Sequence, residues 1–218
     1  MKRLAIILGM TCSLVSTAHA GVSAAVKSDF ATWDTGTSLG GSASGTMLGV
    51  NAIYQNNDFF VGAGHSLGGF AISSKSVSID RQESDISFGY QVYPGVFGFV
   101  AGKQISLDYT RNDSNPRKYS ETISTYGLGG VTSFVVTEQL TGALAAAINV
   151  PSSSYQGSTL STKGNGSGYS VEAALNYKLQ ASTNIKLATK YQSMILNYDN
   201  VSWTTSMVNL GLALSYGF

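Results

Sequence analysis

The last eleven residues set the tightest constraint on what this chain can become. Val208, Leu210, Leu212, Leu214, Tyr216 and Phe218 alternate without a break with Asn209, Gly211, Ala213, Ser215 and Gly217. A period of two puts the two sets on opposite faces of a strand. One face suits hydrocarbon, the other a small or wetted interior, and the chain ends on an aromatic. Charge is scarce to match: Asp, Glu, Lys and Arg make up 11% of the residues, well under the roughly 25% of soluble domains. Glycine, at 25 residues, and tyrosine, at 12, are abundant. An antiparallel sandwich would also alternate, but its outer faces would need far more charge than this sequence holds.

The N-terminus reads as a processing segment. Met1-Lys2-Arg3 is a positive head, an apolar run follows to Val15, and Ala18-His19-Ala20 is a cleavage site, so residues 1–20 are expected to leave as a signal peptide. Cys12, the one cysteine, goes with them, and no small-residue lipobox precedes it. The mature chain, 21–218, then has no thiol for metal binding or nucleophilic chemistry. Without Lys2 and Arg3 the Lys and Arg count falls from 13 to 11 against 12 Asp and Glu, a net charge of −1. That balance offers no electrostatic footprint for nucleic acid. Beyond Ala20 no apolar run reaches the roughly 20 residues of a membrane helix. Few charges, many glycines and aromatics, and no spanning helix point to a β-barrel in lipid.

Ten strands are predicted, at about 22–33, 44–55, 59–70, 83–93, 96–109, 118–134, 139–150, 169–179, 183–192 and the C-terminal stretch. Eight remain the alternative if the first hairpin stays out of the wall. Asn56-Asn57-Asp58 and Pro94-Gly95 are tight-turn signals. Residues 71–82, 110–117 and 151–168 read as longer polar loops, so short and long connections alternate, as in outer-membrane barrels. The fifth strand would place Phe97, Phe99, Ala101, Ile105, Leu107 and Tyr109 toward lipid. Lys103 shares their parity, which calls for a bulge near Gly102 or a snorkelling side chain. In the sixth strand a bulge or a rim transition near Thr125 would reconcile Ile123 with Tyr126. Two aromatic girdles follow. One holds Tyr54, Phe59, Tyr93, Phe97, Phe134, Tyr177, Tyr216 and Phe218. The other holds Trp33, Phe70, Tyr109, Tyr119, Tyr169, Tyr198 and Trp203, with Trp33 and Trp203 adjacent across the closing seam.

The signal peptide, the amphipathic strands and the terminal Tyr216-Gly217-Phe218 resemble the bacterial outer-membrane β-barrel proteins as a class. The resemblance implies an all-β, transmembrane, antiparallel up-and-down barrel in a Gram-negative outer membrane. It implies lipid and lipopolysaccharide as surroundings. It also implies an assembly signal at Tyr216 and Phe218 for the barrel-insertion machinery.

Catalysis has little to work with. His65 is the one histidine of the mature chain, and Ser66 beside it faces the other way. Ser87 could reach it only in another register. No metal site or cofactor is expected. The predicted lumen is more informative: Glu172, Lys178, Lys186 and Lys190 are the candidate lining residues. A three-residue turn at 180–182 would place Glu172 opposite Lys190 as an ion pair and Asn176 opposite Lys186. The charges between Asp80 and Glu121 are assigned to the outer loops and rim, where they would meet water or lipopolysaccharide. The resulting expectation is a small, non-enzymatic outer-membrane barrel, with a narrow porin-like conduit as one role. The alternatives are an adhesion or envelope-interaction protein acting through outer loops and, more remotely, a lipid-modifying enzyme tested by His65→Ala.

Overall fold

A computed structural model of the chain describes residues 21–218 apart from 35–40, 73–74, 112–116, 158–160 and 199–200. The signal-peptide assignment, with Cys12, and most of the expected loop 110–117 lie outside the described residues. Ten strands follow one another: β1 (Gly21–Asp34), β2 (Ser42–Gln55), β3 (Phe59–Ile72), β4 (Val77–Tyr93) and β5 (Val96–Arg111). β6 (Arg117–Val135), β7 (Leu140–Gln156), β8 (Ser161–Lys178), β9 (Thr183–Tyr198) and β10 (Val201–Gly217) complete them. Each strand pairs antiparallel with the next, and β1 pairs with β10, so the sheet closes into an up-and-down barrel. Closure removes the unpaired edges that lipid would not tolerate. The first hairpin is part of the wall, which settles ten strands over eight.

One end carries tight turns together with Gly21 and Phe218. The Asn56 carboxamide oxygen accepts from the backbone N–H of Asp58 (2.9 Å) and of Phe59 (2.8 Å), an Asx turn. Gly95 takes φ +79° after Pro94, the pairing a type II turn requires. The C-terminus is tied down as the Phe218 N–H donates to Val22 O at 2.9 Å. At the opposite, link end the strands run further than the sequence suggested. β4 starts at Val77, β7 reaches Gln156 and β8 starts at Ser161, so most of the expected loops 71–82 and 151–168 is wall. Strands of 14 to 19 residues exceed the 9–11 or so that cross a bilayer.

The outward face records where the lipid stops. Ile86, Phe88, Tyr90 and Val92 are exposed on β4, but Asp80, Gln82 and Ser84 above them are polar. The same change falls between Val150 and Ser152 on β7 and between Val208 and Ser206 on β10. The wall therefore continues past the apolar band as a hydroxyl- and amide-rich collar. Tyr126, Tyr169 and Tyr191 stand at the change, with the rings of Tyr169 and Tyr191 5.9 Å apart. At the turn end Tyr54, Tyr93, Phe134, Tyr177, Tyr216 and Phe218 are exposed and form the other belt. Phe134 lies over Gly142, where a Cβ would strike its ring.

Several expectations are overturned here. β5 is turned inside out: Phe97, Phe99, Ala101, Ile105, Leu107 and Tyr109 are buried in the interior while Val100 is exposed. Lys103 therefore needs neither a bulge at Gly102 nor snorkelling, because the whole face looks inward. The register runs past Thr125 on both sides without a shift, so β6 has no bulge there; Ile123 faces in and Tyr126 out. The second girdle is mostly not on the lipid face. Trp33, Phe70, Tyr109 and Tyr198 are buried inside the barrel. Trp33 stands opposite Met207 across the seam, and Trp203 packs against Tyr198, the rings tilted by 45° with centroids 4.6 Å apart.

The interior is consequently layered. Near the turn end Ile53, Phe60, Phe97, Phe99, Val131 and a set of alanines form one apolar cluster. Near the link end Trp33, Met47, Phe70, Ile79, Ile105, Leu107, Tyr109, Leu196 and Tyr198 belong to another. A band of charge lies between them.

Candidate functional site in the barrel interior

The middle layer grows out of a simple local pattern. Charges two residues apart on a strand share a face. Arg81 and Glu83 do so on β4, and Lys27 and Asp29 on β1, all on the inward parity. Glu83 is the hub. Its Oε1 accepts from Arg81 Nε at 2.6 Å and lies 2.5 Å from Arg81 Nη2, and its Oε2 pairs with the Lys103 ammonium. These three residues are 2–5% exposed, so water screens them little. The Arg81 guanidinium also sits over Trp33 at 5.3 Å and Phe70 at 5.9 Å, whose rings meet edge-on. The charged layer is thereby fastened to the apolar layer above it. Trp33 Nε1 donates to Thr205 Oγ1, whose hydroxyl donates to Asp34 O at 2.8 Å, which ties the closing seam.

Glu121 is a second hub, higher in the barrel. It accepts from the hydroxyls of Tyr109 (3.1 Å), Ser153 (2.6 Å) and Tyr198 (2.5 Å). The charges assigned to the rim thus divide. Arg81, Glu83, Asp85 and Glu121 are buried inside, where they join Lys103, while Asp80, Asp108, Arg111 and Lys118 are exposed. The sequence reading missed the interior set because it began the fourth strand at Glu83. Carrying the alternation of Asp85 and Ser87 back two steps would have found Glu83 and Arg81.

Glu172, Lys186 and Lys190 lie on the inward parity of β8 and β9, with Glu172 opposite Lys190 and Asn176 opposite Lys186. The ion pair, however, is not the one expected. Glu172 Oε1 takes Lys186 Nζ at 2.9 Å, two inward steps down β9 past Ala188, and Lys190 is left out of that pair. A diagonal reach lets the long lysine meet the carboxylate end-on, which a directly opposite pair does not guarantee. Lys178 stands nearer the turn end, opposite Asn184 and half-buried. Lys27, Asp29, Glu172, Lys186, Lys190 and Asn209 line a cavity of about 40 Å³. That is room for about three water-sized occupants. It can hold water or a small ion.

His65 is outside the barrel. Its Nδ1 lies 2.9 Å from Ser84 Oγ, the residue opposite it on β4, and both are exposed. Ser84, not Ser66 or Ser87, is its neighbour, and no carboxylate orients the ring among the described residues. Among the described residues no group of three or more His, Cys, Asp or Glu could hold a metal.

No protein-family model and no curated protein sequence matches the chain. Solved structures do. The β domain of the Bordetella autotransporter BrkA aligns over 91% of this chain and 100% of its own, at 7% identity and TM-score 0.57. The translocator domain of the autotransporter NalP from Neisseria meningitidis aligns over 91% and 88%, at 12% identity and TM-score 0.52. Neisserial surface protein A covers 91% and 98% at 13% identity, with TM-score 0.49. At such identities the likeness speaks for the fold. The chain has the transmembrane β-barrel fold of the bacterial outer-membrane proteins.

Proposed function

We propose that the protein is a non-enzymatic outer-membrane barrel whose lumen is sealed and whose working surface is its collar. In this reading residues 1–20 direct export, and the turn end faces the periplasm. The collar stands among lipopolysaccharide head groups, where its Ser, Thr, Gln and Asn side chains meet other envelope components. The observation that carries the sealed lumen is the pair of apolar layers above and below the charged one. A ten-stranded barrel lies near the size that side chains alone can fill, and open porins use 16–18 strands. A narrow porin-like conduit is the competing reading, favoured by the cavity at mid-height. Planar-bilayer recordings of the purified barrel decide between them. The sealed barrel gives no discrete conductance steps; reproducible steps from pure protein would establish the conduit.

The collar supports the interaction reading better than loops do, because the link ends are short. Between Ile72 and Val77, for instance, only four residues intervene. An acyl-transfer or hydrolytic role has less support. The backbone N–H groups of a barrel wall are engaged in the sheet, so none is free to form an oxyanion hole beside His65 and Ser84.

Tyr216 and Phe218 are the proposed assembly signal. Their rings contact each other, with centroids 5.1 Å apart, on the exposed face of β10. Deleting Phe218 should cut the yield of membrane-inserted barrel in cells several-fold, while the purified chain still folds in detergent. Unchanged insertion in cells would remove the signal role.

A further inference from the structure

We infer that the mid-height cavity binds a small monovalent anion of chloride size, held between Lys27 and Lys190. The argument begins with charge. Three ammonium groups, of Lys27, Lys186 and Lys190, line the cavity against two carboxylates, of Asp29 and Glu172. Lys186 and Glu172 satisfy each other at 2.9 Å. Lys27 reaches Asp29 only at 3.5 Å, and its buried Nζ makes no hydrogen bond. Lys190 has neither an ion pair nor a hydrogen bond among the described residues. One positive charge is left over in an interior where an uncompensated charge is costly.

The surroundings do not neutralise it. Across the lumen two cations, Arg81 and Lys103, stand with two carboxylates, Glu83 and Asp85, so the facing wall brings no net charge to cancel it. The Asp29 carboxylate lies over Gly211, where a Cβ would strike it. Small residues make the space: Ala188, Gly211 and Ala213 line the same cavity where larger ones would have closed it. A void in an otherwise filled interior and a lone ammonium beside it share one remedy, an anion that fills the first and pairs with the second. The volume of about 40 Å³ takes a halide with a water or two beside it. The two carboxylates would repel a multiply charged phosphate more strongly than a halide.

Access does not limit the test, because the anion can be enclosed as the barrel folds. The purified chain is refolded from denaturant in sodium bromide and crystallised, and anomalous scattering locates bromide. The expected result is one peak in the cavity touching both Lys27 and Lys190, lost in Lys190→Met. In parallel, the urea midpoint of the wild type is higher in chloride than in gluconate at equal ionic strength, because gluconate is too large to enter. Lys190→Met and Lys190→Gln lose that difference. Wild-type crystals with only water in the cavity, or a chloride effect that survives both substitutions, would overturn the site. Silence or conductance in bilayers bears on the sealed lumen and leaves this result untouched.

Discussion

Replacing Glu83 with alanine should destabilise the barrel by about 3–5 kcal/mol, which is the cost of breaking a buried ion pair from one side. Arg81 would then lose the carboxylate that holds it and Lys103 one of its partners, at 4% and 5% exposure. Arg81 would keep its place over Trp33 and Phe70, so it could not swing out to water without breaking the link-end layer. Equilibrium unfolding in urea, with the chain refolded into phospholipid vesicles, measures the loss. The triple change Arg81→Met, Glu83→Leu and Lys103→Met should recover most of it, because packed apolar groups of similar volume avoid the cost of burying charge. If Glu83→Ala unfolded within about 1 kcal/mol of wild type, in the range of exposed ion pairs, the charged layer would be wet and the interior open.

Phe60→Ala should cost a comparable amount, about 3–5 kcal/mol, as expected for emptying a packed aromatic site. Phe60 is fully buried, its centroid lies 5.9 Å from that of Phe97, and its ring fills the space over Gly89 that a Cβ would occupy. Phe88→Ala is the control. Phe88 points outward at 48% exposure, and lipid chains can take up the volume it vacates. The same unfolding measurement should separate the two by at least 1.5 kcal/mol or so, since lipid leaves no cavity of the kind that adds to the cost inside. Equal losses would mean that the inner face is no more tightly packed than the lipid face.

Much of the wall was legible in the sequence, for a physical reason. Over the apolar band of β7 to β10 the outward residues are mostly large and apolar and the inward ones small or polar, so parity alone assigns the faces there. The turn chemistry at Asn56 and Pro94-Gly95 then fixes the hairpins. β5 defeated the same rule. Both of its faces are low in charge, and its inward residues Phe97, Phe99, Ile105 and Leu107 are larger and oilier than outward Gly98, Gly102 and Gln104. A barrel that packs its own interior breaks the equation of apolar with lipid-facing. Lys103 was the residue on that face that spoke against it. Rim aromatics misled in the same way: Trp33, Phe70, Tyr109 and Tyr198 fill the link-end layer instead of the interface.

The collar was hidden by its polarity. Residues 78–84 and 152–156 look like loop because their outward side chains are hydrophilic, yet they keep the period of two. Their inward partners, Ile79 and Arg81 on β4 and Ser153 on β7, continue the interior past the lipid. The charged layer followed from the same oversight, since a strand started too late hides the residues that share its inner face. The exchange of Lys190 for Lys186 at Glu172 lay beyond register, because side-chain reach along the strand decided it.

The inward turn of β5 is the point on which sealed interior and lipid-facing wall both depend. Once residues 1–20 are removed the chain has no cysteine, so single-cysteine variants from 97 to 102 can each carry one nitroxide. Collision with oxygen dissolved in the bilayer should peak at Gly98, Val100 and Gly102 and fall at Phe97, Phe99 and Ala101. Peaks at Phe97, Phe99 and Ala101 instead would turn the strand over, expose Lys103 to lipid and empty the interior of its turn-end layer.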